Sequence, residues 1–197
     1  DVFVRDLGTG VTSRVSVASN GTQGDDDSQY GSFSADGSLV IFESVATNLV
    51  TGDTNALRDI FVHNRDTGTT TRVSVASNGT QANGALTFPC ISEDGLTAAY
   101  ESTATNLVPG DANGQRDVFR HDMLTGETLL VSITSDGTQG NNGSSGPTCS
   151  ANGSDIAFNS VATNLVPGDT NGQRDIFVND TGAPTSVSIG NFESTPA

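Results

Sequence analysis

The sequence predicts an all-β fold of stacked, four-stranded antiparallel units, and three observations predict it. The first is a strict internal period of 58 residues. Ala46-Thr47-Asn48-Leu49-Val50 returns as Ala104-Thr105-Asn106-Leu107-Val108 and as Ala162-Thr163-Asn164-Leu165-Val166. Each copy leads into an acidic turn: Gly52-Asp53-Thr54-Asn55, Gly110-Asp111-Ala112-Asn113 and Gly168-Asp169-Thr170-Asn171. Each turn leads into Arg58-Asp59-Ile60-Phe61, Arg116-Asp117-Val118-Phe119 or Arg174-Asp175-Ile176-Phe177. A fixed period marks a unit that buries its faces only against its neighbours. The second observation is composition. Gly, Asn, Ser and Thr abound, and Asp outnumbers Glu 18 to 5, which favours turns over helices. The third is patterning: no stretch sustains a helical period, while short apolar runs alternate with Asp-Gly and Asn-Gly turns.

One unit reads as four strands in order. Tyr30-Gly31-Ser32-Phe33-Ser34 is the first, closed by the hairpin signal Asp36-Gly37. Leu39-Val40-Ile41-Phe42-Glu43-Ser44 is the second, and a long connection over 46–58 follows. Asp59-Ile60-Phe61-Val62-His63 is the third, and Asp66-Thr67-Gly68 turns the chain into Thr71-Arg72-Val73-Ser74-Val75, the fourth. The second and third strands carry apolar residues on both parities, as a sheet covered on both faces requires. The fourth alternates, as an outer strand with one wet face does. Four antiparallel strands per repeat, stacked face to face, make a β-propeller or an open arc of propeller blades.

Ser34-Ala35-Asp36-Gly37, Val40-Ile41-Phe42, Asp59-Ile60-Phe61-Val62, Thr67-Gly68 and Arg72-Val73-Ser74 together resemble the TolB-type, WD-like β-propeller repeat. Ser92-Glu93-Asp94-Gly95 and Ser150-Ala151-Asn152-Gly153 keep the pattern in the other units. The resemblance covers nearly the whole chain and implies a fold more than a function. Members of that family serve as periplasmic scaffolds, as propeller caps on peptidases and as surface proteins. This chain departs from them by the extra length of the 46–58 connection and its copies.

The register divides the chain into a half blade over 1–17, blades over 30–75, 88–133 and 146–189, and a tail over 190–197, about three and a half blades in all. A closed propeller has ~4–8 blades. The expectation is therefore a part of a larger propeller, or a chain that completes a ring or a fibre with further copies, since unpaired edges and uncovered blade faces invite association.

The formal charge of −15, with eight arginines and no lysine, argues against nucleic-acid binding, which rests on basic contacts to phosphate. No run of 18 apolar residues is present, so no membrane insertion by a helix is expected.

Three sets share the pattern Asp-x-Asn-x-x-x-Asp: Asp53, Asn55 and Asp59; Asp111, Asn113 and Asp117; Asp169, Asn171 and Asp175. Carboxylate and amide oxygens at positions 1, 3 and 7 of a tight loop can converge on calcium, with a carbonyl from Leu57, Gln115 or Gln173 as a further ligand. The spacing is shorter than an EF-hand and lacks its bidentate Glu. The same residues also suit a plain turn, with the last Asp paired to an arginine. Both readings stand at the level of sequence, and calcium is the expectation carried forward.

Other groups carry less. His63 and His121 share a repeat position that holds Arg5 and Asn179 elsewhere, which suits a surface position and not a catalytic base. No Ser/His/Asp set, Gly-x-Ser-x-Gly elbow or phosphate loop is present. The absence of Trp, with only Tyr30 and Tyr100 besides phenylalanine, speaks against a sugar-stacking platform. Five sequons, at Asn20, Asn78, Asn142, Asn152 and Asn179, read better as Asn-centred turns. Cys90 and Cys149 lie in the first strands of adjacent units, 59 residues apart, one off the repeat. That step puts them on opposite blade faces, and neighbouring blades confront each other with opposite faces. A disulfide and two buried free thiols both fit.

The functional expectation is a non-enzymatic extracellular, cell-surface or periplasmic module with a structural or partner-binding role, calcium-stabilised, binding a protein or itself. The other classes are a propeller domain of a hydrolase whose catalytic residues lie elsewhere, a carbohydrate-binding lectin, and a subunit of an extracellular fibre.

Overall fold

The structure, a computed structural model, describes residues 1–180 and 187–189. The tail over 190–197 and Thr181 of the fifth sequon lie outside them. Fourteen strands and no helix are described, so no helix there is long and apolar enough to cross a membrane.

β1 (Phe3–Arg5) and β2 (Thr12–Arg14) form a two-stranded ladder. Three four-stranded antiparallel meanders follow. The first unit holds β3 (Ser28–Phe33), β4 (Leu39–Ser44), β5 (Asp59–Asn64) and β6 (Thr70–Arg72). The second holds β7 (Leu86–Ile91), β8 (Thr97–Ser102), β9 (Asp117–Asp122) and β10 (Thr128–Leu130). The third holds β11 (Ser144–Cys149), β12 (Asp155–Ser160), β13 (Asp175–Asp180) and β14 (Val187–Ile189). The sheets stack as blades of an open, unclosed propeller. Two strands differ from expectation. The first begins two residues early, at Ser28. The fourth ends at Arg72: beyond it the Ser74 hydroxyl accepts the Ile60 amide of the preceding strand, and Val75 makes only an isolated bridge to Gln81.

The two-parity apolar pattern has its expected consequence. β4 and β8 are buried on both faces except at Leu39. In each unit one aromatic pair is in register across the second and third strands: Phe42 with Phe61, Tyr100 with Phe119, Phe158 with Phe177, ring centres 5.9, 6.3 and 5.9 Å apart. Between units, Ile41, Ile60 and Val62 pack on Leu86, Ala98 and Tyr100. Ala99 and Val118 pack on Ile156 and Phe158. Burial of apolar area at such interfaces is the main stabilising term.

Each first hairpin is closed by a short polar turn. Asp36 accepts the Ser34 hydroxyl at 2.7 Å and the Ser38 amide at 2.9 Å, and Gly37 supplies the left-handed φ of 69°. Those bonds hold the Asp36 carboxyl at about 2, the Ser34 hydroxyl contributing most. The long connection is anchored as well. Its Ala46 and Leu49 enter the core. Its Asn48 donates to the Gln23 carbonyl and accepts the Asp25 amide. Asn106 and Asn164 repeat both bonds with Gln81 and Asn83, and with Gln139 and Asn141. The recurring Ala-Thr-Asn-Leu-Val segment is thus a splint between a unit and the linker before it.

Cys90 on β7 and Cys149 on β11 are joined in a disulfide, with Cα atoms 5.9 Å apart. The bond crosses the interface between the second and third units, where both residues pack on the cluster holding Ala99 and Ile156.

Candidate functional sites

The acidic turns are built by two chain segments. Asn55 folds the loop on itself by accepting the Leu57 amide at 2.9 Å, with Ala56 left-handed at φ 53°. Gly114 and Gly172 stand at the same place in the copies, where that φ is free of strain. The linker after β6 then supplies Gln81. Its Nε2 donates to Asp53 Oδ1 at 2.7 Å and to Asp59 Oδ2 at 3.3 Å, so one amide bridges the two carboxylates. Asp59 also accepts the Ser74 hydroxyl at 2.5 Å and the Asn55 amide at 3.1 Å. In the second unit Gln139 bridges Asp111 and Asp117 at 2.8 and 3.0 Å, and Ser132 donates to Asp117 at 2.6 Å. In the third, Asn171 donates to Asp175 at 3.1 Å and accepts the Gln173 amide at 2.7 Å.

All nine predicted site residues therefore sit at matching places, six in the loops and three as the first residues of β5, β9 and β13, but each asparagine spends its oxygen on its own turn. Asn55 and Asn171 present an N–H to the carboxylate. Among the described residues no three carboxylate, imidazole or thiol groups converge as a metal cluster. Asp59 and Asp117 are fully buried, and burial, with a smaller push from Asp53 and Asp111, raises their carboxyls above the usual range.

The copies differ in one charge. Arg72, opposite Phe61 in the ladder, lies 3.3 Å from Asp53 and 3.9 Å from Asp59. Leu130 stands opposite Phe119 in the second unit and brings no charge to Asp111 and Asp117.

The two histidines are buried structural groups, not surface ones. Thr70 gives its hydroxyl proton to the Val17 carbonyl, so His63 Nδ1, 2.8 Å away, is the donor to Thr70 Oγ1. His121, Thr128 and Val75 repeat the chain. Burial lowers both imidazoles below their usual range.

A second constellation escaped the sequence reading. The first strand of every unit carries a one-residue bulge, between Gln29 and Ser32, Thr87 and Cys90, and Ser145 and Thr148. At its centre stand Tyr30, Phe88 and Gly146, all left-handed at φ 54°, 52° and 63°. Such bulges ordinarily place glycine there. Tyr30 and Phe88 are 54% and 45% exposed, with ring centres 5.1 Å apart. Buried carboxylates hold the bulges. Glu43 accepts the Phe88 amide at 3.1 Å, the Gln29 amide at 2.9 Å and an Arg58 guanidinium N–H. Glu101 accepts the Gly146 amide at 2.8 Å, the Thr87 hydroxyl at 2.9 Å and Arg116 at 2.9 Å. The signal was available: a glutamate recurring at offset 58 inside otherwise apolar second strands.

No protein-family model matches the chain, and no curated protein matches it. Solved structures do. TolB from Acinetobacter baumannii aligns with a TM-score of 0.55 at 16% identity, over 95% of this chain and 36% of that one. A putative TolB from Agrobacterium tumefaciens aligns with a TM-score of 0.51 at 16% identity, over 83% of this chain and 48% of that one. A prolyl endopeptidase structure aligns with a TM-score of 0.56 at 16% identity, over 95% of this chain and 25% of that one. The chain thus spans less than half the length of each. At this identity the likeness concerns fold alone: the blades are arranged as in a TolB-like propeller.

Proposed function

We propose that this chain is a non-enzymatic β-propeller module that binds a partner protein or further copies of itself, and that its acidic turns take calcium. The carrying observation is recurrence. A catalytic centre needs one unique constellation, whereas here each buried titratable group of the first unit returns in the second on the same partner: Asp59 with Ser74 and Asp117 with Ser132, His63 with Thr70 and His121 with Thr128. These groups serve the repeat. The inter-unit disulfide supports an oxidising compartment, hence an extracellular, surface or periplasmic location.

Calcium fits best in the second unit. Asp111 and Asp117 converge on one point with Leu130 where the first unit has Arg72, and a hard cation there needs Gln139 to turn its oxygen in place of its NH2. Asp53 and Asp59 share the arrangement but already have Arg72. Asp169 and Asp175 complete the set.

The test is a panel of fluorogenic peptidase, esterase and glycosidase substrates, with calorimetry of the same protein in calcium and in chelator. No turnover and a calcium-dependent rise in melting temperature are expected. Turnover abolished by one substitution in this chain overturns the non-enzymatic reading. A second reading, a propeller domain carried by a larger hydrolase, is favoured by the prolyl endopeptidase likeness, in which this chain matches only a quarter of the other.

A further inference from the structure

The rings of Tyr30 and Phe88 need an explanation that the fold does not supply. Glycine satisfies a left-handed bulge without strain, and the third unit uses it, at Gly146. The first two units instead keep large rings in a strained backbone conformation and leave them about half exposed. The residues on either side reinforce the surface. Pro89 follows Phe88 and Pro147 follows Gly146, and together with Gly31 they line a cleft of about 260 Å³. The successive bulges thus present a ring, a ring and a gap. A Cβ on Gly146 would lie 2.7 Å from the Asn159 amide nitrogen, so a side chain there would first have to move that amide. The exposed face of Phe88 beside Gly146 and Pro147 is open to a ring from outside.

We propose that this first-strand platform docks an extended, basic peptide segment of a partner protein, with a proline or aromatic ring of that segment seated in the gap beside Phe88. Grooves walled by aromatic and proline rings select such segments, because rings stack on rings and an extended chain loses little entropy on binding. The acidic run Asp25-Asp26-Asp27 immediately precedes β3, which carries Tyr30, and the chain has a charge of −15 with no lysine. Both favour a segment that carries arginine or lysine. This deepens the binding-module reading and rests on it.

The probe is a blocked peptide, Arg-Pro-Phe-Pro-Arg, titrated into the 197-residue chain by calorimetry at low and physiological salt. Controls replace the rings by alanine or the arginines by glutamate, and cellohexaose stands for a sugar ligand. Saturable binding that weakens with salt and with either control peptide is expected. Phe88→Gly should weaken binding about 3- to 10-fold while leaving the melting temperature unchanged or higher, since glycine relieves the φ strain. A platform serving only the fold would instead lose stability in that variant, and the peptide would not bind the parent. No peptide binding, equal binding by Phe88→Gly, or binding of cellohexaose in its place each overturns the proposal. Mass spectrometry of the recovered peptide separates the two levels: an intact, unbound peptide sinks the platform alone, whereas a cleaved one sinks the non-enzymatic reading.

Discussion

Reducing the Cys90–Cys149 bond tests how the second and third units are coupled. The cross-link closes a loop of 59 residues. In the chain-entropy account a loop of 15 residues contributes about 3 kcal/mol and one of 100 about 4.7, so this one contributes about 4 kcal/mol. A chain of this size shifts its melting temperature by about 2–4 °C per kcal/mol, which gives a drop of about 8–16 °C. The two sulfurs also pack on Ala99 and Ile156, so replacing both cysteines by alanine adds a cavity cost of about 1 kcal/mol beyond reduction alone. The assay is thermal unfolding of oxidised, reduced and doubly substituted protein, with thiol content fixed by alkylation and intact mass. Hydrogen exchange adds a spatial check. Because stability in a stacked array is carried by nearest neighbours, amides of β7 and β11 should lose protection while those of β4 and β5 keep theirs. A reduced protein melting within about 3 °C of the oxidised one, or losing protection evenly along the chain, would refute the reasoning.

Asp117→Asn should shrink the calcium-induced rise in melting temperature, because it removes one of the two carboxylates that converge there; an unchanged calcium response would place the cation elsewhere. The histidines contribute to the loss of stability on acidification. His63 and His121 titrate below the unfolded value when folded, so their contribution is complete above about pH 6.5 and is lost as pH falls through that value toward the folded one. His63→Asn with His121→Asn should flatten the melting temperature between neutral pH and about pH 5. Asp59 and Asp117 act with the opposite sign: their raised values add stability below about pH 3.8 that disappears as pH rises through the folded values. Glu101→Gln should cost about 2–3 kcal/mol in urea unfolding, because one of the donors from Gly146, Thr87 and Arg116 would then face an NH2 group.

The blades were legible because each strand was marked twice, by its own pattern and by its copies. Apolar residues on both parities in 39–42 and 97–100 could only be a sheet covered on both sides, and the structure buries Ile41 and Tyr100 fully. The disulfide was half legible: alternation of faces allowed the contact, but only the stacking of β7 beside β11 decides that the sulfurs meet. The acidic turns were legible as a pattern of residues and not as a geometry. Sequence marks Asp53, Asn55 and Asp59 as loop neighbours, yet their bridging partner Gln81 comes from the far side of a strand and a linker, and nothing local announces it.

The first-strand platform was hidden for a different reason. With no Trp and only two Tyr, the composition does not announce an aromatic platform. What makes Tyr30 and Phe88 informative is their backbone: a left-handed φ in a bulge, which propensity never assigns to a ring. The recurring glutamate points there from the other side. A carboxylate buried within a blade is costly unless each oxygen has donors, and Glu43 spends one of its bonds on the amide of Phe88 in the next unit. So the bulge is held from behind by a buried charge and faces outward with a ring. A local rule broken twice at the same repeat position, at Tyr30 and at Phe88, is the feature from which the docking proposal starts.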